Sequence, residues 1–372
     1  MTADRQSLAA LTAAGVSIWL DDLGRNRLTS GSLRSLVDAS YVTGVTSNPS
    51  IFHKSIGEGA DYADALAELA RSGASAERAV RTLTTRDVRD ACDLLAPVHT
   101  ATAGRDGFVS LEVDPRLARD TDATIGQAAQ LWDEVGRPNL MVKIPATVEG
   151  LAAITATLAA GINVNVTLIF GLSRYDAVMQ AWLSGLERAA AAGRDLATLA
   201  SVASFFVSRL DTAIDPLLAK DGSRAALELQ GRSAVANARL AYGRHHELVQ
   251  TPRWRELAAR GAQPQRPLWA STSTKSPALP DTLYVADLVA RGCVNTMPEA
   301  TLQAVADHGR IHDDTITGHY PDARGVIDDL GRYGIDYDQV VTDLESAGVD
   351  SFTAAWEQLL GAVDQALGRA RA

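Results

Sequence analysis

Seven short β-rich runs, at residues 16–20, 42–46, 108–113, 140–144, 163–169, 201–206 and 268–270, are separated by Ala/Leu/Arg-rich helical stretches. Strands alternating with helices require parallel pairing with helical crossovers. An eighth run at 293–295 precedes Pro298, which suits the first position of a helix. Eight such units point to an α/β fold of the (β/α)8 TIM-barrel type. A doubly wound open sheet is the rival, but no G-x-G-x-x-G follows the first run, and no lysine follows a glycine as a P-loop requires.

The 372 residues suffice for one large barrel, and we expect a single domain over 1–372. Residues 223–250 and 313–372 exceed the minimal units and read as helical additions, with a C-terminal helix packing from 352 to 367. The uncharged stretch 151–172 is long enough to span a bilayer. Its pattern changes midway from an apolar helix to an alternating strand, which argues against a span. A net charge of −10 offers no footprint for nucleic acid or an anionic membrane. Cys92 and Cys293 form no CxxC pair, so a reducing, cytoplasmic setting is expected and both thiols read as buried small residues.

Only four of the 35 basic residues are lysines: Lys54, Lys143, Lys220 and Lys275. Alternate side chains of a strand share a face, so parity within each run tells which residues point together into a barrel. Lys143 shares a face with Met141, Glu112 with Ser110, Thr167 with Asn163 and Asn165, and Asp21 with Ser17 and Trp19. Asp22 falls on the opposite face. These polar residues sit at or near the carboxyl ends of four strands, where barrel enzymes build their sites. A lysine enclosed by apolar walls loses hydration, which favours the neutral amine that attacks carbonyls to form a Schiff base. Carbon–carbon cleavage then needs a base for a hydroxyl proton, an acid–base group for water, and donors that hold substrate. Asp21, Glu112, Asn48 and Thr167 are of the right types.

Two segments, Thr43-Gly-Val-Thr-Ser-Asn-Pro-Ser-Ile-Phe52 and Leu140-Met-Val-Lys-Ile-Pro-Ala-Thr-Val-Glu-Gly-Leu151, resemble transaldolase signatures. Gly161-Ile-Asn-Val-Asn-Val-Thr-Leu-Ile-Phe170, Ser110-Leu-Glu-Val-Asp114, Ser204-Phe-Phe-Val-Ser-Arg-Leu-Asp211 and Val294-Asn-Thr-Met-Pro298 are similar in turn, in the family's order. The resemblance implies a class I aldolase-type transferase of the pentose phosphate pathway. It would move a dihydroxyacetone unit between sugar phosphates with no metal or organic cofactor. Lys143 would form the Schiff base, Glu112 would act through a water that Thr167 helps to place, Asp21 would move the hydroxyl proton, and Asn48 would hold the dihydroxyacetone hydroxyls. Phosphate would fall to Arg209 and Ser204 after the sixth strand, and to Ser271 and Lys275 after the seventh.

The sequence departs from the commoner pattern at Ser273, where the family usually has an arginine, and this longer form resembles a separate branch. The alternatives are a fructose 6-phosphate aldolase-like enzyme that releases dihydroxyacetone, or a barrel that binds sugar phosphates without turnover. A homo-oligomer is compatible with either. His308 and His312 stand at the spacing that puts two ligands on one helix face, but the intervening Gly309-Arg-Ile lacks the glutamate of HExxH, and no metal is expected. His245 and His246 read as helix surface.

Overall fold

A computed structural model describes residues 6–39 and 41–371. Eight parallel strands close in sequence order into a barrel: β1 (Ser17–Asp21), β2 (Val42–Thr46), β3 (Val109–Glu112), β4 (Leu140–Pro145), β5 (Val164–Ile169), β6 (Ser201–Phe206), β7 (Arg266–Ala270) and β8 (Val294–Met297). All eight expected strands are present. Two boundaries differ by two residues and the others by one at most: β7 begins two residues before 268, and β8 runs two residues past 295. Gln265-Arg-Pro267 carries no β signal, yet Arg266 is drawn into the strand because its guanidinium plugs the barrel floor.

Local chemistry explains why the chain turns where it does. After β4, Thr147 caps the helix Val148–Ala159 by accepting from the Gly150 N–H at 3.0 Å. A Cβ on Gly150 would stand 2.0 Å from the Pro145 carbonyl oxygen, so only glycine permits so tight a strand-to-helix turn. On β2, a Cβ on Gly44 would meet the Trp19 indole at 2.5 Å, and the absent side chain makes room for that ring inside the barrel. The uncharged stretch becomes the helix Val148–Ala159 followed by β5, and no described helix is long and apolar enough to cross a membrane.

Barrel registers align the inward polar residues into a layer. Asp21 stands opposite Thr46, Glu112 opposite Lys143, and Lys143 opposite Asn165. At the other end Arg266 donates to Ser17 Oγ at 2.6 Å, to Asp106 Oδ1 at 3.1 Å and to the Cys293 carbonyl at 3.0 Å. Trp19 Nε1 and Ser17 Oγ also donate to Asp106, so the floor is a network of paired buried groups.

The C-terminal helix is longer than the expected 352–367: it runs Tyr337–Arg371 over 35 residues, about 52 Å at 1.5 Å per residue. Val341, Val349, Phe352, Leu359, Val363 and Leu367 form its buried stripe. Its start is tied to the β5 and β6 units, where the Tyr337 hydroxyl donates to Asn237 and accepts from the Leu172 N–H. Its end donates from Arg371 to the Ala74 carbonyl, and it packs on the helices Pro49–Glu58, Ala63–Arg71 and Ala76–Ala101. The helix therefore straps across the carboxyl end of the barrel.

The paired-histidine spacing does not survive as a helix face. The helix Glu299–His308 ends at the first of the two, His308 pairs with Asp281 at 2.8 Å, and no metal-holding cluster exists among the described residues. His246 is exposed on the last turn of the helix Ser233–Leu248, but His245 is half-buried and burial lowers its pKa to about 4. The expectation for His245 is corrected accordingly: the residue turns toward the protein. Cys92 and Cys293 are both free and buried, and Lys54 and Lys220 are exposed on helices.

Candidate active site

Because every strand points the same way, the carboxyl-end residues converge on one mouth, and a cavity of about 210 Å³ opens there. Lys143 enters it from β4, Asp21 from β1, Thr46 from β2, Ser204 and Phe206 from β6, and Thr296 from β8. Asn48, Ser271 and Lys275 line it from the loops, Arg209 from the first turn of the helix Ser208–Asp221, and Phe352 closes it from the strap.

Lys143 is 4% exposed. Its Nζ lies 3.2 Å from Glu112 Oε2, donates to the Ser47 carbonyl at 3.1 Å, and stands 5.6 Å from the centre of the Phe352 ring. The Glu112 approach is close but out of hydrogen-bond alignment, so both carboxyl oxygens are buried without a hydrogen-bond partner among the described residues. Burial pushes the Glu112 carboxyl up to about 7 against the opposing pull of Lys143, with Asp21 adding to the rise. Thr167 Oγ1 is another buried oxygen without a partner. Buried polar groups are almost always satisfied, so these atoms mark a place prepared for water or substrate. The floor network, where each group is paired, has no such vacancy of bonding.

Asp21 keeps part of its surface on the cavity, yet burial is the first cause of its raised pKa, with Lys143 acting in the opposite sense. Thr46 donates to Asp21 Oδ1 at 2.7 Å and touches the Thr296 hydroxyl at 2.6 Å, which leaves the second carboxylate oxygen for a proton. Asp22 lies outside this cavity, paired with Arg27, which also holds Glu299 at 2.7 Å. Asn48 caps the helix Pro49–Glu58: its Oδ1 accepts from the Ile51 N–H at 3.0 Å, and its amide N–H groups remain available on the cavity wall.

Ser204 lines the cavity, but its hydroxyl donates to Asn165 Oδ1 at 2.7 Å, and Asn165 in turn donates to Ser110. Arg209 is half-buried over the Phe206 ring at 5.2 Å, has no carboxylate partner among the described residues, and burial lowers its pKa. A guanidinium stripped of water and unpaired is suited to an anion. Ser271 adopts φ 55° and shares a 2.8 Å hydroxyl contact with Ser208, while exposed Lys275 donates to Ser273 at 3.0 Å.

Of the cavity residues, Thr46, Ser50, Phe206, Ala270, Thr296 and Phe352 were not singled out as site residues from the sequence. Thr46 has a readable signal, since parity with Gly44 turns it inward. Phe352 has none, because a helix far along the chain can reach the mouth only through tertiary packing.

The sequence profile of the family described as Transaldolase/Fructose-6-phosphate aldolase matches residues 18–363. A protein named transaldolase from Acidothermus cellulolyticus is 59% identical over 98% of this chain and 98% of its own length. Others so named are 58% identical in Thermobifida fusca, over 97% of this chain and 98% of the relative, and 56% identical in Mycolicibacterium paratuberculosis, over 100% of both.

Proposed function

The chain belongs to the transaldolase/fructose-6-phosphate aldolase family, and we propose that it transfers a dihydroxyacetone unit from sedoheptulose 7-phosphate to glyceraldehyde 3-phosphate through a Schiff base on Lys143. The products are erythrose 4-phosphate and fructose 6-phosphate. The observation that carries this reading is the buried Lys143 amine, paired at 3.2 Å with Glu112, whose other carboxyl oxygen has no partner among the described residues.

The Lys143 nitrogen attacks the ketose C2 carbonyl, and Glu112, through a water placed with Thr167, delivers the proton that lets the C2 oxygen leave. Its elevated pKa, about 7, lets it both give and take that proton near neutrality. Asp21 then removes the C4 hydroxyl proton. The C3–C4 bond breaks, its electrons pass through C2 to the iminium nitrogen, and C4 departs as the aldehyde of the shorter sugar. Asn48 amide donors hold the dihydroxyacetone hydroxyls. The enamine C3 attacks the incoming aldehyde, Asp21 returns its proton to the new hydroxyl, and water releases the ketose from Lys143.

Arg209 is the main phosphate cation, with Ser204, Ser271 and Lys275 completing the anion end. The high identity to transaldolases and the presence of Glu112 favour transfer over release of free dihydroxyacetone. The strap's ties at both ends support one decorated barrel domain, and the two free cysteines support a cytoplasmic location.

Borohydride added with fructose 6-phosphate tests the mechanism. A stable adduct on Lys143, located by peptide mass spectrometry and absent from Lys143→Met, is expected. An unmodified Lys143 would overturn it.

A further inference from the structure

Lys143 lines the mouth cavity, but Glu112 does not. Glu112 lines a second cavity of about 270 Å³ behind it, between the helices Ala76–Ala101 and Thr121–Val135. We infer that this second cavity is a water port, through which the water of the Schiff-base chemistry leaves and returns separately from the sugar phosphate. The inference rests on the Lys143 reading above.

That chemistry requires a route. When the nitrogen–carbon double bond forms, both bonds between C2 and its oxygen break, and the oxygen departs with two protons as one water; release of the ketose consumes one. A bound sugar phosphate fills the mouth cavity, with its phosphate on Arg209 and Lys275 at the opening and Phe352 above. Water expelled toward Glu112 then lies on the side of the second cavity, which adjoins the mouth at Asn48, a residue lining both.

The second cavity has what a port needs. Apolar Leu117 and Leu131 wall it, the Glu112 carboxyl lies at its inner end, and exposed Glu77 and Arg116 mark where it meets solvent. Trp356 lines it too, and its Nε1, like the Glu112 carboxyl oxygens, is covered and has no hydrogen-bond partner among the described residues. Donors and acceptors left unpaired beside a space of about 270 Å³ need only a side-chain turn to bind water in it. Polar ends on an apolar tube hold water without trapping it.

The test is enzyme-catalysed exchange of ¹⁸O from labelled water into the C2 oxygen of fructose 6-phosphate, without acceptor. Leu117→Trp, which fills the port without touching substrate, should slow exchange at least about fivefold and delay borohydride trapping, with KM unchanged. Trp356→Phe keeps the volume but removes the Nε1 donor, and should slow exchange about two- to threefold even if Leu117→Trp fails to fold. Exchange at the wild-type rate in the folded variants, or slowing that tracks a raised KM, overturns the port while the Lys143 adduct stands. Absence of that adduct in the unaltered enzyme overturns the Schiff-base reading and the port with it.

Discussion

Phe352 and Trp356 stand one turn apart on the strap helix and close different cavities, Phe352 the mouth over Lys143 and Trp356 the space behind Glu112. One helix thus lines both the Lys143 cavity and the Glu112 cavity.

The Phe352 ring, 5.6 Å from the Lys143 nitrogen, faces a group that is cationic as the iminium. A desolvated cation over an aromatic face gains about 1–2 kcal/mol. Phe352→Leu keeps apolar volume and loses the ring face, so the steady-state amount of borohydride-trappable adduct should fall roughly tenfold. An unchanged amount by mass spectrometry would show that the ring only fills space.

Glu112→Gln should lower kcat by about 10²- to 10⁴-fold, the usual range for a general acid–base group. In the parent enzyme kcat/KM should change with pH through about 7, where Glu112 passes between its proton-giving and proton-taking forms, and this limb should vanish in the variant. Stability runs the other way. Between the ordinary 4.5 and about 7 the folded chain keeps a proton that the unfolded chain has lost, so stability falls as pH rises through that window and levels off above it. Urea unfolding should show this slope, up to about 3 kcal/mol in total, in the parent and not in Glu112→Gln.

The floor network makes the converse prediction. Removing one partner of a buried ion pair strands the other, at a cost of about 3–5 kcal/mol. Asp106→Ala leaves Arg266 in that state, because their 3.1 Å pair is buried on both sides. Urea unfolding should register the loss, while KM for fructose 6-phosphate at a temperature where the variant stays folded should be unchanged. A raised KM would mean that the floor communicates with the mouth.

The barrel and its inward layer were legible because parallel strands obey a two-residue period: parity alone separates Asp21 from Asp22 and turns Glu112, Lys143 and Thr167 inward. The floor was not, since Arg266 and Asp106 carry no pattern until barrel closure brings the start of β7 to the loop before β3. The strap was read only as a packing helix, because its apolar stripe reveals a buried face without revealing what lies beneath it. His308 and His312 show why the spacing alone was set aside, since it means something only if one helix spans both, and the helix Glu299–His308 ends at the first.

The proposed phosphate end has two cations of different kinds. Arg209 is half-buried, rigid over Phe206 and unpaired among the described residues, so its bonds to a phosphate form in a partly dry setting and should be worth about 1.5–3 kcal/mol. Arg209→Met should therefore raise KM for fructose 6-phosphate by roughly 10- to 100-fold. Lys275 is exposed on a flexible stem and donates to Ser273. Salt screens such an exposed charge, so Lys275→Met should raise KM several-fold at low ionic strength, with the difference shrinking toward about 1 M salt, where the Debye length is near 3 Å. The Arg209 effect should persist in that salt. Equal salt sensitivity of the two variants would mean that Lys275 is as enclosed in the substrate complex as Arg209, and that the loop after β7 closes over the phosphate.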